Sequence, residues 1–143
     1  MTDPLYLTPN VEALCSAFLA DQPEVADEVA ERVYTTIPKQ ATYPLVRVTV
    51  LDSTPTGEPL WLEAHTVQVE AFGGSKAEAF RIAVKCRAAI SQRLTGDHPG
   101  AGVVTGVRSA GLLDLPDDSH TPAKPRWLFT STVYAHPGAT LPS

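Results

Sequence analysis

The sequence has little cysteine, no long apolar run and no leader-like start. Its two cysteines, Cys15 and Cys86, lie far apart among 143 residues, each in a segment with helical periodicity. We therefore expect two reduced, buried thiols and no disulfide. No apolar run approaches the roughly 18 residues that cross a bilayer. Residues 1–10 (MTDPLYLTPN) lack a basic start followed by an apolar stretch, which favours folding in the cytoplasm over secretion.

Recognisable catalytic and ligand-binding motifs are also missing. Residues 73–76 (Gly-Gly-Ser-Lys) lack the preceding loop of a phosphate-binding P-loop. Residues 100–106 have one residue too many for a dinucleotide fingerprint, and they run from a helix into a strand, the reverse of the required order. The histidines are His65, His98, His120 and His136. Their spacing fits no metal site, so we expect surface histidines, no catalytic residue and no cofactor.

The distribution of charge along the chain is the first informative feature that the sequence contains. The formal net charge of −5 argues weakly against nucleic-acid binding, but the charges are unevenly distributed. Acids dominate residues 9–36, and bases dominate residues 76–94. The acidic candidates for a contact are Asp21, Glu24, Asp27, Glu28 and Glu31, and the basic candidates are Arg81, Lys85, Arg87 and Arg93. Two oppositely charged helical segments in one small chain indicate that they meet, within one chain or between chains.

The periodicity predicts one α+β domain over residues 1–143. Two short helices, or one kinked helix, are expected between residues 9 and 34, and a long helix over 76–94. Strands are expected over 43–52, 60–72, 102–113 and 126–136, with a β-bulge near His65 and a loose tail from about residue 137. This order predicts a two-layer sandwich: a mainly antiparallel four-stranded sheet with the helices packed on it.

The long helix has an unusual surface. Ser75 and Glu78 have the spacing of a capping box, which marks the helix start. Its polar stripe is only about 60° wide, and most other positions are apolar, so we expect a second cover besides the sheet. Either the N-terminal helices or a neighbouring subunit could provide this second cover. Arg87 and Arg93 fall inside the apolar arc, either reaching water or pairing with a carboxylate, and we expect one to meet an acid from residues 21–31.

Several short motifs resemble one phage protein family. They are Arg32-Val33-Tyr34 before Ile37-Pro38; residues 67–72 (VQVEAF) leading into residues 75–79 (SKAEA); residues 115–118 (LPDD) before Arg126-Trp127; and a strand ending in residues 134–137 (YAHP). Over about residues 30–137 the chain resembles the tail terminators, or tail-completion proteins, of long-tailed siphophages.

The resemblance implies a structural virion protein rather than an enzyme. Such proteins form a ring, usually hexameric, that ends polymerisation of the tail tube and presents a surface to the head–tail connector. The implied partners are other copies of the chain, the tail tube protein and the connector, with no cofactor, no membrane and no specific nucleic acid, although DNA passes through the ring. The implied location is the head-proximal end of the tail in the virion, after assembly in the host cytoplasm.

Charge and loop positions in the sequence indicate which residues would form the contacts of such a ring. The basic helix of one subunit against the acidic helices of the next would suit a closed head-to-tail ring. Loops 53–59 and 116–125 are the expected contacts with tube, connector or lumen. Their candidate residues are Thr54, Thr56, Glu58, Asp117 and Asp118.

Three alternatives remain open from the sequence. The first is another neck or head-closure protein, which would bind the connector rather than the tube. The second is a small bacterial ligand-binding or enzyme domain with a pocket around Trp61 and His65. The third is RNA binding by an open sheet face, for which the strands offer too few aromatic and basic residues: Arg47, Arg126 and Tyr134.

Overall fold

The computed structural model describes residues 5–56, 62–136 and 138–140. Its helices are α1 (Val11–Ala20), α2 (Pro23–Val29) and α3 (Lys76–Arg93). Its strands are β1 (Leu5–Leu7), β2 (Val33–Tyr34), β3 (Leu45–Pro55), β4 (Glu63–Phe72), β5 (Gly96–His98), β6 (Gly102–Ser109), β7 (Leu113–Asp114), β8 (Arg126–His136) and β9 (Gly138–Thr140). The long predicted helix and the four predicted strands are therefore confirmed, with the third strand split into β6 and β7.

The main sheet is larger than predicted. It has seven strands in the order β2-β3-β4-β8-β6-β5, with β7 also pairing with β8. Only β2 runs parallel to its neighbour β3, so the sheet is mixed but mainly antiparallel. The α+β class is confirmed, whereas the four-stranded sheet was wrong. The additional strands β2 and β5 have two and three residues, too few to produce a readable alternation.

The helices cover one face of this sheet and enclose the core. On that face Val48, Val69 and Phe129 from neighbouring strands are buried. From the helix side Ile82 and Ile90 of α3 are fully buried against them. Both cysteines belong to this core, and burial raises the pKa of each thiol from 9.0 to about 12. The prediction of two buried free thiols is confirmed.

The corner before α3 is a capped turn. Ser75 Oγ accepts a hydrogen bond from the Glu78 amide at 3.1 Å, and Glu78 Oε1 accepts one from the Gly74 amide at 2.7 Å. Gly73 admits no side chain, because an added Cβ would lie 2.8 Å from the backbone nitrogen of Ala79. The predicted capping box is confirmed, and it uses the amides that a phosphate would need.

The structure differs from three local predictions. The bulge lies in β3, where the register shifts between Val50 and Asp52, and not in β4 near His65. The alternation of β4 therefore continues without interruption to His65, which is 1% exposed rather than a surface residue. Residues 138–140, expected in a loose tail, form strand β9 and pair with residues 5–7 in a separate two-stranded sheet.

Candidate interaction surfaces

The acidic and basic helices meet within one chain. Arg81 and Lys85 on α3 approach Glu28 on α2, with nitrogen–oxygen distances of 2.6 and 3.7 Å. Arg93 lies 2.8 Å from Glu24 and holds the pKa of that carboxyl below its usual value, chiefly by donating a hydrogen bond to it. Of the two predicted arrangements, the structure contains the one inside the chain. These pairs are consequently satisfied before any second subunit approaches.

Arg87 binds backbone rather than a carboxylate. Its Nε donates to the carbonyl oxygen of Ala110 at 2.7 Å, and its Nη2 lies 3.4 Å from that of Ser109. Ser109 Oγ also lies 2.8 Å from the hydroxyl oxygens of both Ser91 and Ser131. Arg87 therefore ties the middle of α3 to the end of β6.

Three of the predicted acidic residues keep an unpaired charge. Asp21, Asp27 and Glu31 are exposed, and no cationic side chain of the described residues lies within 4.0 Å of their carboxylates. They stand at both ends and on the outer side of α2. We call these three residues the acidic ridge. It gives this end of the helix layer an uncompensated negative charge.

An apolar line runs along α3 beside α2. It consists of Ala77, Phe80, Val84 and Ala88, which recur every three or four residues, and we call it the apolar stripe. Phe80 is 42% exposed and Val84 is 38% exposed, large values for such residues on a core helix. Phe80 rests on one side against Trp127, with ring centroids 4.8 Å apart. The expectation that α3 needs a cover beyond its own sheet is met only in part by α2.

The face of the sheet away from the helices contains a buried charge cluster. Glu70 is 1% exposed and accepts hydrogen bonds from Arg47 Nε at 2.7 Å and Nη2 at 2.9 Å. Arg126 Nη1 donates to the same carboxylate at 2.8 Å. The bond to Glu70 also raises the pKa of Arg47. The arginines considered for RNA binding are thus held by a carboxylate that sequence reasoning missed.

Aromatic side chains extend this cluster towards the loop 116–125. Both guanidinium groups lie over the Phe72 ring, at 5.7 Å for Arg47 and 5.9 Å for Arg126. The Phe72 ring contacts Tyr43, and Lys124 Nζ lies 4.0 Å from the centre of the Tyr43 ring. The loop therefore packs over one end of this face, and most of the strand residues on the rest of the face are polar and of intermediate exposure.

The predicted loop contacts have different surroundings. Thr54 lies in β3 and is exposed, and the Thr56 amide and hydroxyl both donate to the Leu62 carbonyl oxygen at 3.1 Å. Glu58 lies outside the described residues. Asp117 pairs with Lys124 through the backbone, and hydrogen bonds from Ser119 lower the pKa of its carboxyl. Asp118 is exposed.

A second polar group surrounds His65, which the ligand-binding alternative placed at a pocket. Its Nδ1 lies 2.6 Å from Ser53 Oγ, and its Nε2 lies 3.5 Å from Glu63 Oε1 without a hydrogen bond. A cleft of about 230 Å³ adjoins it, lined in part by Glu12 and Asn10 of the α1 start. The signal was present in the sequence, because His65 shares the alternation of Val67 and Val69. The other proposed pocket residue, Trp61, lies outside the described residues.

The buried imidazole predicts a pH dependence of stability. Burial lowers the pKa of His65 below 6.5, and this outweighs the raising effects of Glu63 and Asp52. The unfolded chain then binds more protons, so the free energy of unfolding falls as pH drops below about 6.5, by at most about 1.4 kcal/mol per pH unit for one group. In urea titrations between pH 7 and 5, His65→Gln should flatten this fall. The exposed His120→Gln variant should retain it.

Within residues 5–56, 62–136 and 138–140, no three His, Cys, Asp or Glu side chains are arranged to hold a metal ion. In the same part of the chain, no helix is both long and apolar enough to cross a membrane.

Comparison with known proteins adds one fold relationship. No family model matches the chain, and no curated protein matches its sequence. Among solved structures, the chain is similar to a chain from "Virion of native gene transfer agent (GTA) particle", with a TM-score of 0.66 and 13% sequence identity. The match covers 88% of this chain and 94% of that chain. At this identity, the match shows that the two chains share their fold over nearly their whole length.

Proposed function

We propose that the protein is a structural virion component that forms a ring, caps the tail tube of a phage-like particle and offers a surface for head–tail joining. Two independent lines support this. The fold is that of a chain in a gene transfer agent virion, matched over 94% of that chain. The sequence motifs between residues 30 and 137 resemble tail terminators of siphophages.

The observation that carries the proposal is the apolar stripe on α3. Phe80 and Val84 remain 42% and 38% exposed after the chain has folded, although α2 and the sheet cover the adjacent sides of the helix. The charges beside the stripe, Arg81 and Lys85, are already paired with Glu28. Glu28 offsets one of these two positive charges, and an exposed apolar surface with such a border fits a protein–protein contact.

The function is tested by mass and by tube capping. Native mass spectrometry of the purified protein should give a hexamer, alone or after mixing with tail tube protein of the same particle. Electron microscopy of tubes assembled with and without the protein should show shorter tubes with a ring at one end. A persistent monomer that neither shortens nor binds tubes would contradict the proposal. Binding to the connector alone would favour the head-closure alternative, and thermal stabilisation by a small metabolite would favour the ligand-binding alternative.

A further inference from the structure

The strand β3 has a long outer edge with no strand beside it. On one side β3 pairs with β4 from Leu45 to Pro55, but on the other side β2 pairs only with Val46 and Arg47. Among the described residues no further strand lies beside residues 48–55 on that side. An edge of this kind presents backbone amides and carbonyls to which a strand of another chain can add.

The sequence of β3 favours such addition. Residues 45–51 (LVRVTVL) have high strand propensity, contain one charged residue and include neither proline nor glycine. Segments of this composition pair readily with copies of themselves when an edge is accessible. The single charge, on Arg47, is compensated by Glu70, so it does little to repel an incoming strand. Leu51 is 54% exposed, so the end of this segment already meets solvent.

A side chain from the helix layer reaches this edge. Glu12, in the first turn of α1, accepts a hydrogen bond from the Val50 amide on its Oε2 at 2.8 Å. The Val46 amide points away from β4, because it donates to the carbonyl oxygen of Arg32. Hydrogen-bonding direction alternates along a strand, so the Val50 amide, four residues on, points the same way. Glu12 therefore occupies a position that an added strand would need for its own bond.

The rest of the edge is obstructed by β3 itself. The register shift after Val50 interrupts the regular spacing of the strand, and the next residue in register, Asp52, has an exposed carboxylate. Pro55 has no amide to offer. The stretch between β2 and the bulge is the part that these features leave accessible, and Glu12 covers it.

We infer that Glu12 closes the outer edge of β3 to strand addition by a second copy of this chain. The contact is autoinhibitory, since α1 blocks an association site on the sheet of its own protomer. Without it, two copies would join through β3 into one continuous sheet, an association that competes with any other contact between subunits. The inference goes beyond the proposed ring, because the block acts on the folded chain whether or not a ring forms.

Side-chain length tests the inference with the charge held constant. Glu12→Asp keeps the carboxylate but is one methylene too short to reach the Val50 amide, and Glu12→Ala has no acceptor, so both should open the edge. Glu12→Gln keeps the length and an acceptor oxygen and should leave it closed. Sedimentation at equal protein concentration should find at least about fivefold more material heavier than the wild-type species in the two shortened variants. In dilute solution, hydrogen exchange of the Val50 amide should be at least about tenfold faster in them.

A pair of lysine substitutions tests whether association uses this edge. Leu51→Lys, added to Glu12→Asp, places a charge on β3 in the way that natural edge strands prevent pairing, and it should return the mass to that of the wild type. Leu115→Lys in the same background is the matched control. Leu115 is similarly exposed, at 48%, but it lies beside β8 and not on β3, so its substitution should leave the heavier material in place.

Each outcome decides the inference separately from the proposed function. If the shortened variants exchange Val50 faster and still keep the wild-type mass, the open edge recruits no second copy and the inference is wrong. It is also wrong if Glu12→Gln associates as strongly as Glu12→Asp, since charge would then matter rather than the bond. Equal relief by both lysines would place the association elsewhere than β3. If the variants behave as expected while the wild type neither forms a ring nor caps tubes, the inference stands and the proposed function fails.

Discussion

Glu70→Ala is expected to lower the free energy of unfolding by about 3 kcal/mol. The substitution leaves the guanidinium groups of Arg47 and Arg126 without the carboxylate that both now bind, at 2.7 to 2.9 Å. Arg126 is only 20% exposed, so water replaces the lost bonds incompletely. It also bridges Glu70 to the Leu115 carbonyl oxygen, which couples the loss to the loop that follows β7. Urea unfolding monitored by circular dichroism measures the change.

The matched control is Gln68→Ala, two residues earlier on the same face of β4. Gln68 is half-buried, and its side chain makes no hydrogen bond or ion pair among the described residues, so its removal should cost less than about 1 kcal/mol. Glu70→Gln keeps the shape and one acceptor oxygen, and it should fall between the two. Equal losses for Glu70→Ala and Gln68→Ala would mean that the charge cluster does not stabilise this end of the sheet.

The elements predicted correctly are those with long regular patterns. The helix α3 was predicted within one residue of its observed bounds, because its 18 residues follow a capping box and end before Gly96. The strand β8 was predicted with its observed bounds, since Trp127, Phe129 and Val133 share one face of the strand. Patterns of this length average over many positions, so no single residue decides them.

The strands that were missed lack such a pattern. The strand β2 has two residues and runs parallel to β3, held by contacts such as the hydrogen bond from the Val46 amide to the Arg32 carbonyl oxygen. Pairing of this kind depends on where the chain returns in space, and local composition does not record it. The misplaced bulge has a similar cause. A shift in which residues of a hairpin face the core can arise from an extra residue in either strand. Here the extra residue is Leu51 of β3.

The sequence correctly predicted which segments carry opposite charges, but it did not predict which residues pair. Acids and bases of opposite helices were recognised as partners, and Arg93 does meet an acid from residues 21–31. Glu28 and Arg81 are 53 residues apart, however, and only the fold shows that they meet within one chain. Glu70 was missed for a related reason. The alternation of β4 placed Glu70 on the exposed face of the sheet. Nothing in the local sequence indicated that arginines from two other strands would bind and bury its carboxylate.

Phe80→Asp combined with Val84→Asp is expected to abolish assembly, raising the dissociation constant of self-association by at least about 100-fold. Full burial of an exposed valine or phenylalanine side chain contributes about 1.5–3 kcal/mol, and the contact would bury the 42% of Phe80 and 38% of Val84 that the fold leaves exposed. A carboxylate in either place must also lose water, which adds to the loss of affinity. Both residues are more than a third exposed in the folded chain, so the fold should tolerate the change. Sedimentation and native mass spectrometry measure association, and circular dichroism verifies that each monomer is folded.

The control for this pair is Thr35→Asp combined with Thr36→Asp, because both residues are exposed in the segment after β2, away from α3, and the pair gains the same two negative charges. It should assemble like the wild type. A double variant that still forms rings of unchanged mass would show that the apolar stripe faces solvent or another component in the particle. The exposed apolar surface of α3 would then no longer argue for self-association, and the ring would require contacts elsewhere on the chain. Loss of assembly in the double variant alone, with an intact fold, would locate the subunit contact on this side of α3.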